Sequence, residues 1–110
     1  MKMFAVALAV SLLLAASAAQ AERVQVKFRG TLELGHFKCT DVTKGNLIKR
    51  VCYDRAKRYM VIRLHDTHYH YCGVDPQTVK TLLSADWPEG YFDTSIKGHF
   101  DCRTHRVPRY

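Results

Sequence analysis

Histidines and a cysteine recur at every second position of one short segment, HYHYC at residues 68–72. In an extended strand, side chains two residues apart point to the same face and lie about 6.5–7 Å apart. His68 and His70 are therefore spaced to converge on one Zn²⁺ or Cu²⁺ ion, with Cys72 continuing the row. The alternative is that both histidines are polar residues of a solvated sheet face and Cys72 is oxidised, which would remove a thiolate ligand. The sequence leaves the metal site open as an alternative and predicts no bound metal or cofactor.

The spacing of the cysteines distinguishes a zinc site from disulfides. Zinc sites usually supply their cysteines in close pairs. Here the four cysteines are separated by 13, 20 and 30 positions, and they are Cys39, Cys52, Cys72 and Cys102. An even number of cysteines in a small exported chain is typical of a disulfide framework. The sequence therefore predicts two disulfides.

The first 21 residues have the organisation of a secretory signal peptide. Lys2 precedes an apolar run that is shorter than the roughly 20 residues needed to span a bilayer. Ala19 and Ala21 occupy the two positions that a signal peptidase reads. We predict cleavage after Ala21, which leaves a mature chain of 89 residues without a transmembrane segment. That chain is expected in the periplasm or outside the cell.

The mature chain is basic. It keeps 16 of the 17 Lys and Arg residues and all ten Asp and Glu residues, so its formal charge is +6. A basic surface suits polyanions such as nucleic acid, anionic lipid or acidic glycans, although solubility alone also explains it. Outward-facing Tyr69 and Tyr71 would add a stacking platform for single-stranded nucleic acid. Neither serine of the mature chain, Ser84 or Ser95, lies in a nucleophile-elbow motif, and no enzymatic activity is predicted.

Alternation of apolar and polar residues predicts strands through the first two thirds of the mature chain. The last three of these strands have the spacing of an antiparallel meander. CTDVTKGN, at 39–46, is typical of a loop. The predicted strands are RVQVKFRG (23–30), the weaker TLELGHF (31–37), LIKRVCYD (47–54), YMVIRL (59–64) and HYHYCGV (68–74).

Helix signals follow the last strand. Asp75 is a suitable N-cap, and Pro76 suits the first helical position, where its missing N–H is not needed. Val79, Leu82 and Leu83 then form one apolar stripe. EGYFDTSIKG (89–98) predicts a second short helix with Tyr91, Phe92 and Ile96 inward, ended by Gly98. The fold class is therefore α+β: a small antiparallel sheet, made of the three-stranded meander plus N-terminal strands, with two short helices on one face.

The alternation also assigns residues to the two faces of the meander. The face under the helices is predicted to hold Met60, Ile62, Leu64, Tyr69 and Tyr71. The opposite face, partly covered by the N-terminal strands, then carries Arg50, Cys52, Val61, Arg63, His68, His70 and Cys72. Four of these residues, Arg50, Arg63, His68 and His70, form the candidate binding surface.

Strand order also restricts the disulfide pairing. Cys52 and Cys72 lie on the outer strands of the meander, about 9–10 Å apart, which is beyond disulfide reach. Each should therefore pair with Cys39 or Cys102. Cys39–Cys52 with Cys72–Cys102 is favoured over Cys39–Cys72 with Cys52–Cys102, and both pairings remain open.

Three segments together resemble the KTSC domain, a family named after the C-terminal region of some lysyl-tRNA synthetases. The segments are VCYDRAKRYMVIRL, HYHYCGVDPQTVKTLL and GYFDTSIKGHF, within residues 46–103. The matching motif positions are Tyr53–Asp54, Tyr69–His70–Tyr71, Val74–Asp75–Pro76 with Leu82–Leu83, and Gly90–Tyr91–Phe92 with Ile96–Lys97–Gly98.

The resemblance implies a bacterial α+β domain. RNA binding has been proposed for the family, which supplies no catalytic residues. The export signal, the N-terminal strands and the four cysteines depart from the usual pattern. We therefore expect a signal peptide at 1–21, an N-terminal strand extension at 22–45 and a KTSC-like domain at 46–110. The expected function is a non-enzymatic binding or interaction module whose partner the sequence does not identify. A polyanion, including single-stranded nucleic acid, and another envelope protein are the candidate partners.

Overall fold

Six strands form one mixed sheet in the computed structural model, which describes residues 21–110. Across the sheet the order is β2-β1-β6-β5-β4-β3. β1 runs parallel to β6, and the other neighbouring pairs are antiparallel. In chain order the strands are β1 (Arg23–Val26), β2 (Gly30–Glu33), β3 (Lys38–Asp41), β4 (Ile48–Asp54), β5 (Tyr59–Leu64) and β6 (Thr67–Tyr71).

This sheet confirms the α+β class and the β4–β5–β6 meander, but it corrects two expectations. The sheet is mixed rather than antiparallel, because β1 docks beside β6 with Val26 opposite His68. The predicted loop at 39–46 begins with a strand, because Cys39 lies directly opposite Cys52 and Asp41 opposite Arg50. Cross-strand pairing here overrides a polar local sequence, as β-propensity depends strongly on context. The predicted signal peptide lies outside the described residues except for Ala21.

The sheet curls into a half-barrel, and its two edge strands are consecutive in the chain. Residues 34–37 lead from β2 to β3 across the open side. The Leu34 N–H donates to the Glu22 carbonyl at 2.8 Å, which holds this connection to the start of β1. The half-barrel therefore has an inner face, enclosed by β1 and β2, and an outer face, on which the helices pack.

Both predicted helices are present. Helix α1 (Pro76–Ser84) begins at the Asp75 cap, whose carboxylate accepts the Thr78 N–H at 3.3 Å. Helix α2 (Pro88–Tyr91) continues as a π-helical segment over Phe92–Ile96. Leu83 departs from the predicted stripe: it is 37% exposed, because it turns toward edge strand β3 instead of the core. No helix within residues 21–110 is long and apolar enough to cross a membrane.

Each face of the sheet has its own apolar core. Met60 and Ile62 pack under the helices, with Leu64 and Tyr71 at the margin, as their alternation predicts. The outer core comprises Ile48, Val51, Met60, Ile62, Val74, Val79, Leu82, Phe92 and Ile96. The inner core comprises Val26, Leu32, Leu34, Cys52, Tyr59, Val61 and Cys72. Residues 26–34, at the N-terminal end of the sheet, thus supply about half of the inner core.

One disulfide joins two neighbouring strands of the sheet, and the other joins the end of β6 to the C-terminal segment. Cys39 is joined to Cys52, with 4.0 Å between their Cα atoms, and Cys72 to Cys102, with 4.9 Å. This is the favoured pairing, and strand β5 does separate Cys52 from Cys72. Because disulfides persist in oxidising compartments, the pair indicates a location outside the cytoplasm.

Candidate functional site

The predicted binding surface divides into two parts in the structure. Arg50, Arg63 and His68 form a row across β4, β5 and β6, as register partners. Arg50 donates to both carboxylate oxygens of Glu22 at 2.7 Å, and its Nε lies 3.7 Å from Asp41 Oδ1. Burial, followed by the charges of Arg63 and Arg50, lowers the pKa of His68. The row is therefore a partly neutralised group at one end of the half-barrel.

His70 belongs to a separate group further along the inner face. Its Nδ1 lies 2.7 Å from the Tyr59 hydroxyl, which also accepts from Arg29 Nη1 at 3.0 Å. The guanidinium can only donate, which leaves the Tyr59 hydroxyl hydrogen available for the Nδ1 of a neutral His70 whose proton is on Nε2. Burial, followed by the Arg29 charge, lowers the pKa of His70.

This arrangement gives the metal hypothesis no support. His70 Nδ1 is engaged by Tyr59, and Cys72 is in a disulfide. No cluster of three or more histidine, cysteine, aspartate or glutamate residues suited to a metal ion occurs within residues 21–110.

The lowered pKa values of His68 and His70 make stability depend on pH. An unfolded histidine titrates near 6.5, so below that pH the unfolded chain takes up protons that the folded chain resists. The free energy of unfolding should be highest above about pH 6.5 and should decrease as the pH falls from there through the lowered pKa values of the two folded histidines. Urea unfolding across this range measures the slope. H70Q, whose amide oxygen can accept from Tyr59, should have a flatter profile; an unchanged slope would contradict the assignment.

The first two family-motif residues have structural roles. The Tyr53 hydroxyl donates to the Val74 carbonyl at 2.6 Å, which connects β4 to the segment before α1. Asp54 is buried, and its carboxylate accepts the Tyr110 hydroxyl at 2.7 Å. Burial and this contact raise the pKa of Tyr110.

An aromatic cluster of Phe37, Tyr59 and Tyr110 lies on the inner face and was not predicted from the sequence. Tyr59 is fully buried, and the rings of Phe37 and Tyr110 lie 5.9 and 6.4 Å from its ring. The available signal was the alternation of β5, which places Tyr59 on the same face as Val61. The contact with Tyr110 comes from the C-terminal segment, which no local pattern relates to β5.

On the side of strand β6 that faces β1, the backbone pairing is interrupted at one residue. At one end the Lys27 N–H donates to the His68 carbonyl at 2.9 Å, where β1 ends. At the other end the Cys72 N–H donates to the Phe100 carbonyl at 3.0 Å. Alternate residues direct their backbone groups to the same side of a strand, so those of His70 face this edge too. Among the described residues, no backbone segment pairs with His70 on that side.

A groove of about 670 Å³ lies over this position, and we call it the β6 slot. Its walls carry Phe28, Tyr69, Tyr71, Phe100 and Arg103. The Lys27 Nζ lies 5.5 Å from the ring centre of Phe28 and 5.7 Å from that of Tyr69. Burial raises the pKa of Tyr71 to about 12, so its hydroxyl stays protonated at physiological pH. The slot is therefore an aromatic groove, with Lys27 beside two of its rings and the Arg103–Asp101 ion pair in its wall.

Of the two tyrosines of the central motif, Tyr71 lies where the alternation predicts and Tyr69 does not. Tyr71 packs under the helices, with its ring 5.9 Å from that of Phe92. Tyr69 is only half-buried and contributes to the slot instead of the core. Gly98, the last motif residue, also lines the slot. The motif residues Tyr69, Tyr71 and Gly98 thus meet at one groove.

Comparisons with known proteins agree with the motif pattern. The KTSC domain family model matches residues 45–100. The crystal structure of a KTSC domain protein from Yersinia pestis is similar, with a TM-score of 0.55 and 27% sequence identity. That similarity covers 59% of this chain and 92% of the other. No curated protein matches this chain.

Proposed function

The chain belongs to the KTSC domain family, and we propose that it is a non-enzymatic binding module that takes an extended polypeptide segment into the β6 slot. The observation that carries this proposal is the open edge at His70, flanked by aromatic walls. The two disulfides support a role outside the cytoplasm, in the periplasm or beyond. A non-enzymatic role is supported by the cysteines, all four of which are oxidised.

An added strand would complete the local hydrogen bonding of β6. Strand addition uses backbone bonds for affinity and pockets for alternate side chains for specificity. The His70 N–H and carbonyl would pair with one residue of the ligand. Side chains on either side of that residue would contact Tyr69 and Phe28 on one wall and Phe100 on the other. The gap between Lys27 and Phe100 limits this pairing to a short segment.

The conformation of Phe28 favours a role in binding. Its φ of 68° is in the left-handed region, which costs a non-glycine residue roughly 1–2 kcal/mol. The ring is 87% exposed, so little packing offsets that cost in the free protein. An aromatic ring retained at a strained turn and presented to a groove is the type of feature that clusters at ligand sites.

Selection from a displayed library of random peptides tests the proposal. We expect enriched peptides to bind the parent protein and to lose about tenfold or more in affinity to F28N, since a stacking aromatic contributes about 1–3 kcal/mol at an interface. Asparagine tolerates the left-handed region, so F28N should fold at least as stably as the parent. The His70 amide resonance should shift on binding.

W87S provides the matched control, because Trp87 is 70% exposed and does not line the slot. Its affinity for the selected peptides should equal that of the parent. Peptides that bind F28N and the parent equally, or that leave the His70 amide unperturbed, would refute the slot as the binding site.

A further inference from the structure

A second groove lies between helix α1 and edge strand β3, and we call it the α1–β3 groove. It forms because the two short helices do not cover the whole outer face of a six-stranded sheet. Its volume is about 420 Å³, and its floor and walls include Val51, Tyr53, Val79 and Leu83. Leu83 departs from the predicted helix stripe because it lines this groove, where it is 37% exposed. The groove is thus an apolar surface left open at the edge of the sheet.

Three cations surround this apolar surface: Lys38 on β3, Arg55 after β4 and Lys80 on α1. All three residues are exposed. In the part of the chain that the structure describes, none of their side chains has an ion-pair or hydrogen-bond partner. By contrast, Arg23 and Arg103 are each paired with a carboxylate. The charge around the groove is therefore free to meet an anion.

We infer that the α1–β3 groove binds the phosphate headgroup of an anionic lipid at a membrane surface. The three cations would contact the phosphates, and Leu83 with the apolar wall would contact the upper part of the acyl chains. Charge complementarity requires an anion, and the apolar lining favours a lipid over a wholly polar polyanion. Long basic side chains extend readily from apolar surface to headgroup, which suits this geometry. The groove is on the β3 edge, whereas the slot is at β6, so this inference is independent of the proposed function.

Co-sedimentation with vesicles measures the binding. The mature protein should bind mixed phosphatidylglycerol–phosphatidylcholine vesicles at low salt and bind phosphatidylcholine vesicles weakly. The triple variant K38Q/R55Q/K80Q should lose about 100-fold in partition coefficient, because each basic residue near an anionic membrane contributes about fivefold. L83Q, at an exposed position, should also weaken binding while the fold is retained.

The control variant K97Q/R106Q/R109Q removes the same charge from exposed positions outside the groove. With both triple variants measured at about 0.1 M salt, where the Debye length is about 10 Å, the control should lose less than about threefold, because charges outside the groove are then largely screened from a lipid bound in it. Equal losses for the two triple variants would overturn the inference, because net charge alone would then explain binding. No binding to the anionic vesicles at low salt would also overturn it. Vesicle binding that L83Q leaves unchanged would overturn it as well, because the apolar wall of the groove would then make no contact with the lipid.

Discussion

Replacing the Cys72–Cys102 disulfide, as C72S/C102S, should lower the free energy of unfolding by about 3–4 kcal/mol. The bond closes a sequence separation of 30, against 13 for Cys39–Cys52. A longer loop loses more conformational entropy in the unfolded chain when it is closed, so C39S/C52S should cost only about 2–3 kcal/mol. Urea unfolding of the two double variants measures both values, and serine in place of both cysteines avoids scrambled thiols.

The two bonds also differ in what they hold in the folded state. Cys102 belongs to the C-terminal segment, which contributes Val107 to the inner core and Arg103 to the β6 slot. Besides this bond, the segment is held by the packing of Val107 and Tyr110 on the inner face and by polar contacts such as Lys57 Nζ donating to the Arg109 carbonyl at 2.6 Å. Cys39 and Cys52 lie instead on paired strands that the ladder already aligns.

Peptide binding should therefore separate the two variants. C72S/C102S should lose affinity for slot-selected peptides, because the wall formed by residues 100–107 is no longer fixed. C39S/C52S should retain it. A larger stability loss for C39S/C52S than for C72S/C102S, or equal peptide affinity in both, would show that the C-terminal segment is held by its non-covalent contacts.

The sequence predicted the elements that have strong local signals. Alternation in YMVIRL and the Asp75–Pro76 start of α1 depend only on neighbouring residues, and both predictions are confirmed. Strand β3 has no such signal, because its four residues, Lys38–Asp41, form a strand by pairing with β4. The parallel contact of β1 with β6 likewise depends on residues about 40 positions apart. Long-range pairing is what local patterns cannot encode.

The same distinction applies to the site. His68 and His70 share a face, as predicted, but they belong to different groups. The charges of Arg50 and Arg63 act on His68, whereas His70 is hydrogen-bonded to the Tyr59 hydroxyl. The slot arises where β1 stops and the chain returns at Phe100, and no segment of the sequence contains both walls. For the cysteines, strand order excludes Cys52–Cys72 and leaves two possible pairings, of which the favoured one is observed.

Tyr59 is the residue whose removal should have the largest effect among single substitutions. Its side chain is fully buried in the inner core and contacts Phe37, His70 and Tyr110. Y59A removes a large aromatic ring and leaves a cavity, so the free energy of unfolding should fall by about 3–5 kcal/mol. For a small domain this is a large part of the total stability, typically about 5–15 kcal/mol. Thermal or urea unfolding would show it directly.

Y59F separates the hydroxyl from the ring. It keeps the apolar packing but leaves Arg29 and the Nδ1 of His70 without their shared partner, so it should cost about 1–3 kcal/mol. Y69F is the matched control: the Tyr69 hydroxyl makes no hydrogen bond within the described residues, and its loss should change stability by less than about 0.5 kcal/mol. If Y59F and Y69F proved equal in urea unfolding, the Arg29–Tyr59–His70 chain would contribute nothing to stability. The contribution of Tyr59 would then come from its ring alone.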